Sequence, residues 1–273
     1  MSSILTNTSS MVALQTLKNI NGNMGKVQNE ISTGLRVSNA KDNSSSWAIA
    51  STMKSDVGSF KKLGESLTSA SAMVGVARTA SEQTADILRQ IQEKVVQAQN
   101  PDADVAKLTT DVAALAATIT SIAGSAQYNG INLVNTGATA ENITVSVTRT
   151  AAGVVGSQVF STGVADLAAV ATAITGIADI SVAAALDTVD TQLDAANTAA
   201  ATFGAAQARI DAQNEFLGKQ MDALKNGVGA MVDADMEEAS ARLTALQTQQ
   251  QLGIQSLSIA NQAPQSILSL FRG

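Results

Sequence analysis

The chain has 273 residues, of which 45% are hydrophobic but only 3% aromatic and 15% charged, with 17 basic against 23 acidic side chains for a net charge of -6. It contains no His and no Cys, which removes imidazole bases, thiolate chemistry and His/Cys zinc or haem sites, and so points away from an enzyme. An acidic balance with few aromatics also argues against a nucleic-acid or sugar-stacking surface, while two Pro in an Ala-rich chain favour long helices.

Met1 to Leu17 carries no charged side chain and lacks a basic segment followed by an apolar one, so no cleavable signal peptide is expected. Leu17, Ile20, Met24, Val27 and Ile31 recur at steps of three and four and predict the first helix. A second run follows with Val57, Phe60, Leu63, Leu67, Ala70, Val74 and Ala77, then Thr84, Ile87, Ile91 and Val95. At ~1.5 Å per residue, Val57 to Asn100 makes a helix of about 65 Å, too long to bury itself in a compact globule. Asn100-Pro101-Asp102 offers a cap, a Pro at the first helical position and an acid in the first turn, so the next helix is expected to start there. It continues through Val105, Leu108, Val112, Leu115, Ile119 and Ile122.

The middle changes character. Asn129-Gly130 is a turn signal beside Tyr128 and Ile131-Leu133, and Ile143, Val145 and Val147 alternate with Thr and Ser. Gly153 and Gly156 are expected to separate that strand from Val159-Phe160, giving one small antiparallel element between Tyr128 and Phe160. Val164 to Thr175 predicts a short helix. Ile210, Leu217, Met221, Leu224, Val228 and Met231 resume the helical pattern, as do Leu243, Leu246, Gln250 and Leu257. Asp233 and Asp235 can cap the last helix, and Pro264 should kink or weaken it. The fold class expected is mainly α, with long antiparallel helices packed as an elongated coiled-coil-like rod and a small antiparallel β-region in the middle of the chain. Both ends are helical and should meet.

Three Ser-x-x-Lys matches, Ser38/Lys41, Ser51/Lys54 and Ser59/Lys62, lack the companion motifs of a Ser/Lys hydrolase and fall in a Ser- and Lys-rich stretch, where chance produces them. Asp233, Asp235, Glu237 and Glu238 lack the loop Gly and spaced Glu of a calcium loop, so helix capping accounts for them better. No catalytic, cofactor or metal residues are expected. Two uncharged stretches, Val112 to Ala140 and Leu243 to Phe271, are diluted by Thr, Ser, Asn, Gly and Gln, and no membrane span is expected from them. The neutral ends, with apolar stripes and no partner evident within one chain, call for a protein neighbour, which self-association supplies.

Ile31-Ser-Thr-Gly-Leu-Arg-Val-Ser-Asn-Ala-Lys-Asp42, followed by Ala48-Ile-Ala50, resembles the N-terminal signature of bacterial flagellins. Gln127-Tyr-Asn-Gly-Ile-Asn-Leu133, Gly204-Ala-Ala-Gln-Ala-Arg-Ile210 and Ala260-Asn-Gln-Ala-Pro-Gln-Ser-Ile-Leu-Ser-Leu270 resemble further family segments in the family's order. The length is similar to that of the short alphaproteobacterial, Caulobacter-like type. The resemblance implies a filament subunit, extracellular, secreted through the flagellar type III export apparatus without a cleaved signal peptide. Its partners would be copies of itself or closely related flagellins, an export chaperone, and junction and cap proteins, with no nucleic acid and no cofactor. It implies three regions: 1–40 and 233–273 as the two halves of an inner-tube coiled-coil domain, and 41–232 as a rod-like outer-tube domain with its β-region at about 128–160. Leu35 to Ala50 would be a connecting spoke. The assembly seam would comprise Leu17, Ile20, Met24, Val27 and Ile31 with Leu243, Leu246, Leu257, Ile267, Leu268, Leu270 and Phe271.

The resemblance also carries a departure. In many flagellins the rod's first helix holds an Arg-rich stretch gripped by the vertebrate Toll-like flagellin receptor. Here the matching stretch is Leu88-Arg-Gln-Ile-Gln-Glu-Lys94, with Gln90 and Gln92 where two Arg would stand and Lys94 in place of an apolar Leu. Other classes remain: a coiled-coil adaptor, which should bring a membrane segment or partner domain, and within the flagellum the hook–filament junction protein, whose ends are similar.

Overall fold

The computed structural model describes residues 7–149 and 155–270. Among them, long helices dominate and the only sheets are two short antiparallel pairs. The chain divides into two compact units, one made of residues 1–57 with 223–273, the other of residues 58–222.

The first unit holds helix α1 (Thr8–Thr33), the start of α2 (Ser44–Ala98), the end of α5 (Ala183–Val232) and α6 (Met236–Leu270). Asn7 caps α1 by accepting the Ser10 N–H on Oδ1 at 3.0 Å, satisfying one of the N–H groups that a helix start leaves without a partner. Gly34 ends the helix at φ +70, a left-handed conformation that costs glycine little, and its N–H donates to Glu30 O. The two connecting segments then tie to each other through backbone. Leu35 pairs antiparallel with Asp233, the Arg36 and Val37 N–H groups both donate to Val232 O, and Ala234 N–H donates to Gly34 O. Val37, Ala50, Val228 and Val232 close into a small core, flanked by Leu35, Met53 and Met231.

Asp235 caps α6, accepting the N–H groups of Glu237 and Glu238 on Oδ1 at 3.0 and 3.2 Å. The acidic cluster therefore serves a helix start, where carboxylates favour the positive end of the dipole. Asp233 does not share this duty; its backbone is held in the bridge to Leu35. Pro264 does not end the helix, which continues to Leu270.

In the second unit, α2 and α5 run antiparallel. Thr68 Oγ1 accepts from Asn214 Nδ2, Ser71 Oγ donates to Asp211, Arg78 Nε donates to Gln207 Oε1, and Gln92 Nε2 donates to Asp190, so one number falls as the other rises. Of the predicted α2 stripe, Phe60, Leu63, Leu67, Ala70, Val74, Ala77, Thr84, Ile91 and Val95 are buried, while Val57 and Ile87 are half-buried and Leu88 is wholly buried beside Ile87; Phe203, Ile210 and Leu217 are buried on α5. Helix α3 (Val105–Ser125) buries Leu108, Val112, Ala116 and Ile119, and packs with α4 (Leu167–Thr175), which buries Leu167, Val170 and Ile174. By length and hydropathy α3 could cross a membrane, but its apolar stripe is occupied by this packing.

Three local expectations change. Helix α3 starts at Val105, not beside Pro101, because Asp104 is the residue whose carboxylate accepts the Lys107 N–H at 3.2 Å; residues 99–104 form a turn instead. The single β-element resolves into two sheets. Strands β1 (Gln127–Tyr128) and β2 (Ile131–Asn132) flank Asn129 and Gly130 at φ +52 and +82, the signs a type I′ turn requires. Strands β3 (Asn142–Arg149) and β4 (Val155–Ser161) pair separately, with Ile143 opposite Phe160 and a bulge at Val145. Gly156 lies inside β4, opposite Thr148, and does not separate the strands; Gly153 lies outside the described residues.

Candidate assembly surface

Helices α1 and α6 pack on each other within one chain. Their apolar stripes therefore have an internal partner, contrary to the expectation that they lack one. The polar contacts give the direction: Asn7 Nδ2 donates to Ala260 O at 2.7 Å, Ser10 Oγ to Asn261 Oδ1 at 2.7 Å, and Gln250 Nε2 to Asn21 Oδ1 at 2.8 Å. These partners make an antiparallel pair.

Leu17, Ile20, Met24 and Ile31 are half-buried and Val27 is buried, while Leu243, Leu246 and Leu257 are half-buried on α6. Gly253 sits opposite Leu17 and Ile20: a Cβ built there would lie 3.3 and 3.8 Å from their Cδ1 atoms, so the missing side chain lets the helices approach. Ile267, Leu268 and Leu270 belong to α6 by backbone, but their side chains and all of Phe271 lie outside the described residues.

The pair also leaves large apolar side chains bare outside the seam. Met11, Val12 and Leu14 on α1, and Leu252, Ile254 and Ile259 on α6, are exposed, Ile259 to 69% and Val12 to 67%. No charged side chain stands between Met1 and Leu17 or between Leu243 and Phe271 to keep such a surface in water. These six residues fall off the three-and-four spacing that marks the seam. The signal that could have found two of them is the seven-residue spacing of Ala245, Leu252 and Ile259 on α6.

Between the helices' ends, the 38–43 loop is organised by one carboxylate. Asp42 Oδ2 accepts from the Ser38 N–H and Oγ–H, both at 3.1 Å, and from the Asn39 N–H at 3.2 Å. These bonds, the one from the Asn39 backbone foremost, hold its carboxyl below the usual carboxylate range despite the opposing effect of desolvation; Lys26 adds a smaller pull. Asn43 then caps α2 by accepting the Ser46 N–H at 3.1 Å. The Ser38 hydroxyl is thus committed to Asp42, away from the Lys base that a Ser-x-x-Lys nucleophile would need.

In the second unit, Gln90 is exposed, the Gln92 amide is bonded to the Asp190 carboxylate on α5, and Lys94 Nζ lies 2.8 Å from Asp111 Oδ2 on α3. Among the described residues no group of three or more Asp or Glu could hold a metal ion.

Comparison with known proteins agrees along the whole chain. Residues 4–139 match the bacterial flagellin N-terminal helical region and residues 186–271 the bacterial flagellin C-terminal helical region. A flagellin of Brucella melitensis is 41% identical over 282 residues, with all of both chains covered. Flagellin C of Rhizobium meliloti is 36% identical over the whole of both chains. Flagellin FljM of Caulobacter vibrioides is 35% identical over all of this chain and 99% of that one.

Proposed function

This chain belongs to the bacterial flagellin family, and from that premise we propose that its paired terminal helices are the part that joins subunit to subunit. It is a structural subunit of the flagellar filament, self-assembling, extracellular and not an enzyme. The observation that carries the proposal is the set of exposed large apolar side chains on α1 and α6, which falls within the two stretches of chain that lack charge. Burying a large aliphatic side chain contributes about 1.5–3 kcal/mol, so repeated contacts of this kind can hold a polymer together.

In this reading, 1–40 and 233–273 form the inner tube of the filament and 41–232 the outer layer, with Leu35 to Ala50 between them. The subunit leaves the cell through the flagellar export apparatus without a cleaved signal peptide, escorted by an export chaperone, and meets junction and cap proteins at the two ends of the filament. Family membership supports these partners; they remain proposals for this chain.

Leu257→Asp tests the seam. A charge placed on that half-buried stripe without a partner replaces an apolar contact with α1 and should destabilise the pair. Under polymerising conditions, electron microscopy should show long filaments from the natural chain and none from the variant, while circular dichroism shows the second unit still folded. Normal filaments from Leu257→Asp would remove the terminal pair from the assembly contact.

A further inference from the structure

Trp47, the only tryptophan in the chain, stands in the first turn of α2 with 40% of its surface exposed. Its backbone N–H is fixed by Asn43 O at 3.0 Å. Ser51 and Lys54, which follow on the same side of the helix, are exposed as well, whereas Ala50 and Met53 face the small core around Val37, Val228 and Val232. The largest apolar side chain of the first unit is therefore presented outward on a rigid element. Tryptophan is the residue type most often found as the anchor of a protein contact.

The same unit carries a groove of about 390 Å³ between α1 and α6. Val27, Ala245 and Leu246 give it an apolar part, Asn23 and Gln249 a polar one, Lys26 and Arg242 line it as cations, and Glu30 is its one acid. Arg242 Nη2 is held by Glu238 at 2.6 Å, and its side chain stays 62% exposed. Aromatic rings are attracted to guanidinium and ammonium groups. Trp47 of the same chain is not among the residues lining the groove.

We propose that Trp47 of one copy seats in the α1/α6 groove of the next copy. The inference rests on the filament reading and specifies one of its contacts. A knob and a hole at different places on one surface make a heterologous contact, which repeats without closing, as a filament needs. Val27, Ala245 and Leu246 offer apolar surface to the indole body, and the two cations match its electron-rich face.

Because Trp47 is the sole tryptophan, its fluorescence reports the surroundings of this side chain alone, and a cross-link identifies what covers it. On polymerisation its emission should shift to the blue and become shielded from acrylamide. Trp47→Ala should raise the critical concentration about tenfold or more, with Trp47→Phe recovering part of the loss. The absence of native Cys permits a direct test of the groove. A minority of Trp47→Cys copies, polymerised within an excess of Ala245→Cys copies and treated with a short bismaleimide, should give a dimer whose peptides link position 47 to position 245. The link should appear in filaments and not in monomer. Filaments that form while Trp47 stays as quenchable as in monomer, or that give no 47–245 link, overturn this contact and leave the filament reading standing. Failure of the natural chain to form filaments overturns both.

Discussion

Thr84 is wholly buried on the core stripe of α2, and its hydroxyl has no hydrogen-bond partner. Ser81, one turn earlier and equally buried, donates its hydroxyl to Ala77 O at 2.9 Å. The periodicity places Thr84 on the apolar stripe, but spacing alone does not tell whether the hydroxyl finds a partner. A buried, unpaired hydroxyl costs about 1–3 kcal/mol in protein mutational data. Thr84→Val should therefore stabilise the second unit by about 1 kcal/mol, read as a rise of roughly 2–4 °C in melting temperature; a fall would mean that the hydroxyl is satisfied in solution. Asp42 makes a pH-dependent prediction. Its folded pKa is depressed by bonds from Asn39 and Ser38, so its contribution is present above the unfolded value of 3.8 and lost as pH falls through the folded value. Amide exchange at Ser38 and Asn39, corrected for intrinsic rate, should accelerate only as pH falls below the ordinary value of 3.8 and through the folded one, and Asp42→Ala should show that behaviour already at neutral pH. Unchanged protection in the variant would refute the role given to the carboxylate.

At the scale of elements, helices α1, α2, α5 and α6 are legible because each must bury one stripe, and burial leaves a three-and-four spacing. Boundaries are less so. Asn100-Pro101 breaks α2 as expected, yet the turn runs on to Asp104, since any of the acids at 102 and 104 could serve as cap and only geometry selects one. The β-region is visible through alternation and the Asn129-Gly130 turn, but alternation cannot show which strands pair, so two sheets read as one. The departure on α2 carries a prediction of its own. Gln offers neither the charge nor the five-donor fork of Arg, and each interface anchor lost costs typically 2 kcal/mol or more, about thirtyfold in affinity. Gln92 and Lys94 are moreover engaged by Asp190 and Asp111 within the chain. We expect endotoxin-free monomer to be a weak or silent ligand for the Toll-like flagellin receptor beside a flagellin with the full Arg pattern. In the same reporter assay, Gln90→Arg with Lys94→Leu should raise the signal; equal potency of the natural chain would contradict the expectation.

For the whole molecule, the distribution of charge says more than its total. The chain withholds charged side chains from Met1 to Leu17 and from Leu243 to Phe271, the stretches that carry Met11, Val12, Leu252 and Ile259 exposed. That the ends want a protein neighbour is therefore legible in the sequence. What periodicity could not separate is the neighbour supplied from within, α6 against α1, from the neighbours supplied by other copies, because both kinds of contact write apolar residues into the same helices. The inward stripe has the regular spacing; the exposed side chains are recognised once the pair is seen in three dimensions. Helical reconstruction of the polymerised natural chain by electron cryomicroscopy tests this division most directly. The α1/α6 pair should form the innermost layer, with Val12, Leu252 and Ile259 buried against neighbouring copies. A filament in which that pair lies on the outer surface, with these side chains still open to solvent, would contradict the account.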